Sequence, residues 1–210
     1  MIKTLATAAI MMAGSVTSIS AATLNGTFTI DIYNYNSNGN SDNADATAAN
    51  VAANAANLVK TITYTGLIDF TTTDDGDPPT IFEFLSNAGG VFDGTGLDIL
   101  VSSGGFGVTT LLDITGSFAT AVDGVISHDD GITLLDGSGN TIVASADPTV
   151  QIDTGFSASA GDFRLIYSAA NGSPEVLNVD VDVAAVPVPA AGLLLLGALG
   201  ALGLRRRKAA

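Results

Sequence analysis

The chain has 210 residues, 47% of them hydrophobic, and it carries 21 acidic side chains against 7 basic ones. Five basic residues lie at the two ends, so the stretch between them keeps only Lys60 and Arg164 against all 21 acids, a net charge of 2 − 21 = −19. Such a surface repels nucleic acid and anionic lipid headgroups, which excludes both as expected partners. The absence of cysteine excludes disulfides, a thiol nucleophile and thiolate metal ligands.

The N-terminal residues 1–22 show the three parts of a secretory signal peptide in their usual order. Lys3 precedes an apolar run from Leu5 to Val16, and Ser20-Ala21-Ala22 offers the small-x-small pattern of a signal peptidase site. We therefore predict export, followed by one exported domain at residues 23–183.

The C-terminal residues 184–210 end in "VPVPAAGLLLLGALGALGLRRRKAA". The uncharged run at 190–204 predicts a hydrophobic helix, but 15 residues would span roughly 22 Å, short of the roughly 30 Å hydrocarbon core. The basic tail fits the cytoplasmic side of a membrane and consists of Arg205, Arg206, Arg207 and Lys208. A permanent anchor would be marginal, and a processing signal with transient membrane insertion is favoured.

This tail resembles the PEP-CTERM class of sorting signals, in its VPLPA variety. The matching motif consists of Val186, Pro187, Val188, Pro189 and Ala190, with Val188 where leucine is usual. The resemblance implies an exosortase-type membrane protease as partner. It also implies export across the inner membrane of a Gram-negative bacterium to the cell envelope, outer surface or exterior. An ordinary single-pass anchor is the alternative.

The interior is predicted to be mainly β. Short runs rich in β-branched and aromatic residues are separated by Gly, Asp and Asn clusters. Alternation predicts buried faces on two runs, formed by Phe28, Ile30 and Ile32 in the first and by Leu177, Val179, Val181 and Val183 in the last. This pattern predicts an all-β fold, an antiparallel β-sandwich or jelly roll.

One accessory helix is predicted near residues 43–59. Its apolar positions at helical spacing are Val51, Ala55 and Leu58. Asp42 or Asn43 is expected to cap it, Asp45 suits its first turn, and packing over a sheet edge is the expected placement.

The stretch "SHDDGITLLDG", residues 127–137, is the main candidate for chemistry. No phosphate loop, zinc-helix motif or nucleophile elbow is present, and His128 is the only histidine. Asp129 and Asp130 could bind Ca²⁺ through hard oxygen ligands. From these residues alone a turn with Gly131 at positive φ is favoured over a metal site, and His128 is expected to end the preceding strand.

Residues 122–183 are similar to the second half of the protective-antigen-type domain, through "HDDGITLLDG" and "DFRLIYSAANGSPEVLNV". In its flocculin-like lectin branch, adjacent aspartates joined by a cis peptide hold calcium, and a loop Asn completes a site for sugar hydroxyls. The resemblance implies that Asp129, Asp130 and Asn171 hold Ca²⁺ and contact an extracellular polysaccharide. The N-terminal half shows no match, and no aromatic sugar platform is visible near Asn171.

A hairpin is the fold prediction most closely tied to this resemblance. The strand of Tyr167 and the strand at 177–183 are expected to pair through the Ala169–Pro174 turn, because Asn171-Gly172 tolerates positive φ. Finding these strands in different sheets would remove the resemblance.

The function predicted from the sequence is that of a non-catalytic surface or matrix protein that binds calcium and glycan. Two alternatives stay open. The first is a purely structural matrix component without a ligand. The second is a carbohydrate-active enzyme, which would need a cleft holding two carboxylates with split pKa values.

Overall fold

The computed structural model describes residues 20–72 and 79–183, which contain eleven strands and two short α-helices. The predicted sorting motif at 186–190, the hydrophobic helix and the basic tail lie outside the described residues. Strand β1 includes residues 20–22 of the predicted cleavage site, so cleavage after Ala22 would leave only Thr23 of that strand. The cleavage itself stays a prediction.

The strands form two sheets. Their bounds are β1 Ser20–Thr23, β2 Asn25–Tyr35, β3 Leu58–Leu67, β4 Asp69–Thr71, β5 Thr109–Phe118, β6 Val122–Asp129, β7 Ile132–Asp136, β8 Thr141–Ser145, β9 Ile152–Ala158, β10 Gly161–Ala169 and β11 Val176–Val183. The five-stranded sheet has the order β1-β11-β6-β9, with β4 also paired to β11. The six-stranded sheet has the order β3-β2-β5-β10-β7-β8, and all its neighbours are antiparallel. The all-β antiparallel prediction is confirmed.

The main core lies between the inner faces of the two sheets. Strand β2 contributes Phe28, Ile30 and Ile32, each at most 3% exposed, as the alternation predicts. Strand β11 contributes Leu177, Val179 and Val181 from the other sheet, also as predicted. Period-2 alternation places these side chains on one face, and burying that face supplies the main driving force for folding.

The segment before β3 is less helical than predicted. Helix α1 runs only from Ala48 to Ala53, flanked by 3₁₀ turns at Ser41–Ala44 and Ala55–Asn57. Thr47 caps α1 by accepting a hydrogen bond from the Asn50 N–H, so the predicted caps were wrong. The Asn residues in this run have low helix propensity, and its Ala residues offer little apolar surface for packing, so the helix stays short.

The contacts of the segment predicted to be a helix, near residues 43–59, also differ from those expected. Val51 is buried, whereas Ala55 is exposed and Leu58 is a strand residue that is 45% exposed. The segment covers the outer face of the six-stranded sheet rather than its edge. There a second small core forms from Tyr33, Ala46, Val51, Leu111, Leu135 and Ile166.

A second helix, α2, spans Ile81–Ser86 and was not predicted. Thr80 and Glu83 form a reciprocal capping box at its start. Phe84 is fully buried and stacks against Tyr167 of β10, with the ring centroids 5.7 Å apart. None of the helices in the described ranges is long and apolar enough to cross a membrane.

The predicted hairpin between β10 and β11 is wrong. Both edges of β10 are occupied, by β5 and β7, so β11 cannot pair with it and instead joins the other sheet beside β6. The local turn chemistry was predicted correctly, because Asn171 and Gly172 have φ values of 69° and 93°. Turn residues reverse the chain, but they do not decide which sheet receives the next strand.

Candidate functional site

The two predicted aspartates lie where the chain leaves one sheet for the other. Asp129 is the last residue of β6, in the five-stranded sheet, and β7 begins at Ile132 in the six-stranded sheet. A cis peptide bond joins Asp129 to Asp130, as the resemblance implies. The segment from Ala170 to Glu175 makes the reverse crossing, from β10 to β11.

The two crossings are hydrogen-bonded side by side. The Asp130 carboxylate Oδ2 accepts a hydrogen bond from the Ala170 backbone N–H at 2.6 Å, and Asp130 N–H donates to the Ser168 carbonyl at 3.3 Å. The Ser168 N–H donates in turn to the Gly131 carbonyl at 2.9 Å. These contacts hold Asp130 against Ala170, the residue that precedes Asn171 in the second crossing. Asp130 is 4% exposed.

Asn171 is exposed and connects the site to a third loop. Its side-chain Oδ1 accepts a hydrogen bond from the Gly105 N–H at 2.9 Å. The next residue, Gly172, donates its N–H to the Ser102 Oγ at 3.0 Å. The segment at 102–107 therefore lies against Asn171, although it is about 65 residues away in the chain.

Glu175 is a carboxylate beside the site that sequence reasoning missed. It is fully buried and accepts hydrogen bonds from the hydroxyls of Ser102 and Thr72. Its partners lie 73 and 103 residues away, so no local pattern could reveal the cluster. Through Ser102, Glu175 is connected to the Gly172 N–H and so to the turn that carries Asn171.

Burial raises the pKa values of both aspartates. The pKa of Asp130 rises to about 7, mainly through desolvation, with further contributions from the charges of Asp129 and Glu175. The pKa of Asp129 rises to about 6, through desolvation and then the charge of Glu175. The charges of Asp129 and Glu175 disfavour the ionised form of Asp130, and hydrogen bonding from the Ala170 backbone only partly offsets this.

His128 is a structural residue of β6. It is fully buried and lies one residue before the end of the strand, which confirms the predicted strand end. Its Nδ1–H donates to the Asp130 carbonyl, and its Nε2 accepts from the Thr154 hydroxyl at 2.8 Å. Because burial lowers its pKa, the ring is neutral near pH 7 and fixes the backbone around the aspartates.

Gly131 does not adopt the positive φ that the turn interpretation required. Its constraint is spatial, because a Cβ at this position would lie 2.0 Å from the Ala146 carbonyl oxygen. That oxygen also accepts a hydrogen bond from the Ala46 N–H at 2.9 Å. The glycine therefore permits a close approach between the crossing and the loop after β8.

The oxygen atoms of the site are of the kind that a hard cation takes as ligands. Within residues 20–72 and 79–183, no group of three or more His, Asp and Glu side chains is arranged to hold a metal ion. Calcium also accepts amide and main-chain oxygens, so two carboxylates with Asn171 and backbone carbonyls are a suitable donor class. A cation bound there would favour the ionised forms of both aspartates, whose pKa values are raised mainly by burial.

Comparison with known proteins supports the fold. No family model and no curated protein matches the chain. Among solved structures, a PA14 sugar-binding domain from an RTX adhesin is similar, with a TM-score of 0.50 and 18% identity over 75% of this chain and 90% of that one. The PA14 domain of the MpAFP antifreeze protein gives a TM-score of 0.48 and 12% identity over 80% of this chain and 88% of that one.

The chain therefore has a PA14-like β-sandwich fold, which is the protective-antigen-type architecture expected from residues 122–183. The likeness extends over 75% of this chain, more than the stretch at 122–183 in which the sequence showed a resemblance. It holds although β10 and β11 lie in different sheets, so the predicted hairpin was the wrong criterion for the resemblance.

Proposed function

We propose that this chain is an exported, non-catalytic surface or matrix protein whose PA14-like domain binds glycan with the help of Ca²⁺. The observation that carries the proposal is the pairing of the two sheet crossings, which brings Asp129 and Asp130 next to the turn of Asn171. The adhesin neighbour is described as sugar-binding, and that description supports the same function for this fold.

Calcium would be held by the carboxylates of Asp129 and Asp130 together with the Asn171 amide oxygen and main-chain carbonyls. The ion would supply a hard Lewis-acidic centre for sugar hydroxyls. The protein supplies rigidity, because the Asp130 carboxylate and the Asn171 amide are each fixed by a backbone N–H. Preorganised ligands lower the entropic cost of binding.

The location of the protein is part of the proposal. The predicted signal peptide and the motif at 186–190 support export and recognition by an exosortase-type protease. An extracellular polysaccharide is the proposed partner. Because the stretch between the ends carries a net charge of 2 − 21 = −19, a neutral glycan fits better than an anionic one.

The two alternatives differ from this proposal in what they require of the aspartates. An acid–base pair in a glycosidase needs pKa values pushed apart, whereas those of Asp129 and Asp130 are raised together. A structural component without a ligand would need Asp130 only for the hydrogen bond from Ala170 that joins the two crossings. Calcium binding, which neither alternative requires, separates the proposal from both.

Calcium titration by calorimetry, with melting curves in calcium and in chelator, tests the proposal. At a hundredfold excess over Kd the ion should stabilise the domain by about 2.7 kcal/mol, which corresponds to roughly 5–10 °C in Tm. Asp130→Asn should abolish most of this shift. Asp162→Asn, at the exposed far end of β10, is the matched control and should leave it unchanged. Identical wild-type curves in calcium and in chelator would overturn the proposal.

A further inference from the structure

Three loop turns with left-handed backbone meet beside the proposed calcium site. Each contains two consecutive residues of positive φ, namely Asn38-Gly39, Gly105-Phe106 and Asn171-Gly172. The Gly39 N–H donates to the Phe106 carbonyl at 3.4 Å, and the Gly105 N–H donates to the Asn171 side chain at 2.9 Å. We name these six residues the tip cluster.

Phe106 is the unusual member of the tip cluster. Left-handed backbone suits Gly and Asn, which hold the other five positions, whereas a phenylalanine with a φ of 56° is sterically disfavoured. Its neighbours in the chain are Gly104, Gly105 and Gly107, none of which has a side chain that could contact the ring. The protein therefore keeps a bulky side chain at a position where glycine would be favoured.

The ring of Phe106 is not part of a hydrophobic core. The side chain is half-buried, belongs to neither of the two hydrophobic clusters and makes no ring contact with another aromatic residue among those described. Phe118 and Phe163, by contrast, stack with a centroid distance of 4.5 Å inside the main core. Packing therefore does not explain why an aromatic residue occupies position 106.

We propose that Phe106 is the aromatic platform on which a pyranose ring of the bound glycan stacks. The inference rests on the proposed function and names the residue that contacts the sugar ring. The C–H face of a sugar is apolar and electropositive at its hydrogens, and an aromatic face is electronegative, so the two attract while hydroxyls remain free for polar ligands. Phe106 directly follows Gly105, whose N–H is bonded to Asn171, so ring and polar ligands lie on one loop cluster.

Phe106 would be the aromatic platform that the sequence did not reveal near Asn171. Phe106 and Asn171 are separated by 65 residues in the chain, and only the folded loops bring them together. A neutral hexose is the ligand class that fits, because stacking requires no charge and the acidic surface disfavours anionic sugars.

The test is retention of the exported protein on agarose carrying glucose, galactose, mannose or fucose, with calcium present. Phe106→Ala should weaken retention on whichever sugar binds wild type by at least about tenfold, as expected for loss of one aromatic stacking contact. Phe106→Tyr should keep it. Phe82→Ala removes a 40% exposed phenylalanine on α2 and is the matched control, which should bind like wild type.

A stability measurement separates a platform from a packing residue. In chelator, Phe106→Gly should melt at or above the wild-type temperature, because glycine adopts φ values near 56° without steric cost. The same variant should lose sugar retention. A packing role instead predicts a fall in Tm of several degrees, as for other large-to-small changes, and that result would overturn the inference.

The outcomes separate this inference from the proposed function. If wild type binds neither calcium nor any sugar, both are overturned. If wild type binds calcium and sugar but Phe106→Ala is retained equally, the platform alone is overturned. If Phe106→Ala loses calcium affinity in calorimetry, the residue acts by positioning Asn171, and the platform is overturned as well.

Discussion

The carboxylate of Asp130 accepts a hydrogen bond from the backbone N–H of Ala170, with Oδ2 2.6 Å from the nitrogen. This contact joins two segments that cross between the sheets in opposite directions. It also fixes the backbone immediately before Asn171. The candidate site is therefore a junction of two crossings rather than a feature of one loop, and its stability should depend on the charge of Asp130.

The first prediction concerns pH. Burial raises the pKa of Asp130 from 3.8 to about 7, so the folded protein binds a proton more tightly than the unfolded chain does. In chelator, this group should make the free energy of unfolding decrease as pH rises from about 4 to about 7, by on the order of 2–4 kcal/mol. Urea unfolding between pH 4 and pH 8 measures the effect.

The control for the pH prediction is the isosteric Asp130→Asn variant. His128 has a lowered pKa and contributes the opposite slope below its ordinary value of 6.5, but it is present in both proteins. The difference between variant and wild type therefore isolates Asp130. The variant should gain stability relative to wild type as pH rises, and a constant difference would show that the pKa of Asp130 is not raised.

The second prediction concerns Gly131. Alanine there would place its Cβ 2.0 Å from the Ala146 carbonyl oxygen, a clash with backbone that no rotamer change relieves. We expect Gly131→Ala to lower the free energy of unfolding by about 1–3 kcal/mol. Gly155→Ala on β9, where the nearest heavy atom to a Cβ is 3.9 Å away, should be tolerated in the same denaturation experiment. Equal stability of both variants would contradict the close approach.

The third prediction concerns the hydroxyl that connects Glu175 to the turn of Asn171. Ser102→Ala should destabilise the protein by about 1–3 kcal/mol, because it removes a donor to a buried carboxylate and the acceptor of the Gly172 N–H. It should also weaken calcium binding in calorimetry, because the turn loses its support.

Two further variants serve as controls for Ser102. Ser102→Thr keeps the hydroxyl and should recover calcium affinity. Ser157→Ala removes a hydroxyl bonded to Asp123 on the exposed sheet face and should change stability by less than about 1 kcal/mol. If Ser102→Ala binds calcium as wild type does, the turn is held without this hydroxyl.

The fourth prediction concerns processing. If the motif at 186–190 is a sorting signal, intact-mass spectrometry of the mature protein should give a C-terminus close to that motif. If the mature protein still contains Arg205, Arg206, Arg207 and Lys208, the C-terminal segment is a simple membrane anchor. Substitution of Pro187 and Pro189 by alanine should leave the tail uncleaved, while changes upstream of the motif should not.

The sequence determined the parts of the fold that depend on local periodicity. Leu177, Val179 and Val181 are buried because alternate residues of a strand share one face, and apolar side chains on that face are driven together. The adjacent aspartates and the left-handed turn at Asn171 were also identified from residue type and motif. These features need only neighbouring residues to specify them.

The sheet assignment and the surroundings of the site were decided only by tertiary structure. The partner of β11 depends on which strand edges are free, and those of β10 are already occupied by β5 and β7. Glu175 meets Ser102, and Asn171 meets Gly105, across 73 and 66 residues. Such contacts follow from how the two sheets close over the common core, and no pattern within one segment of the chain encodes them.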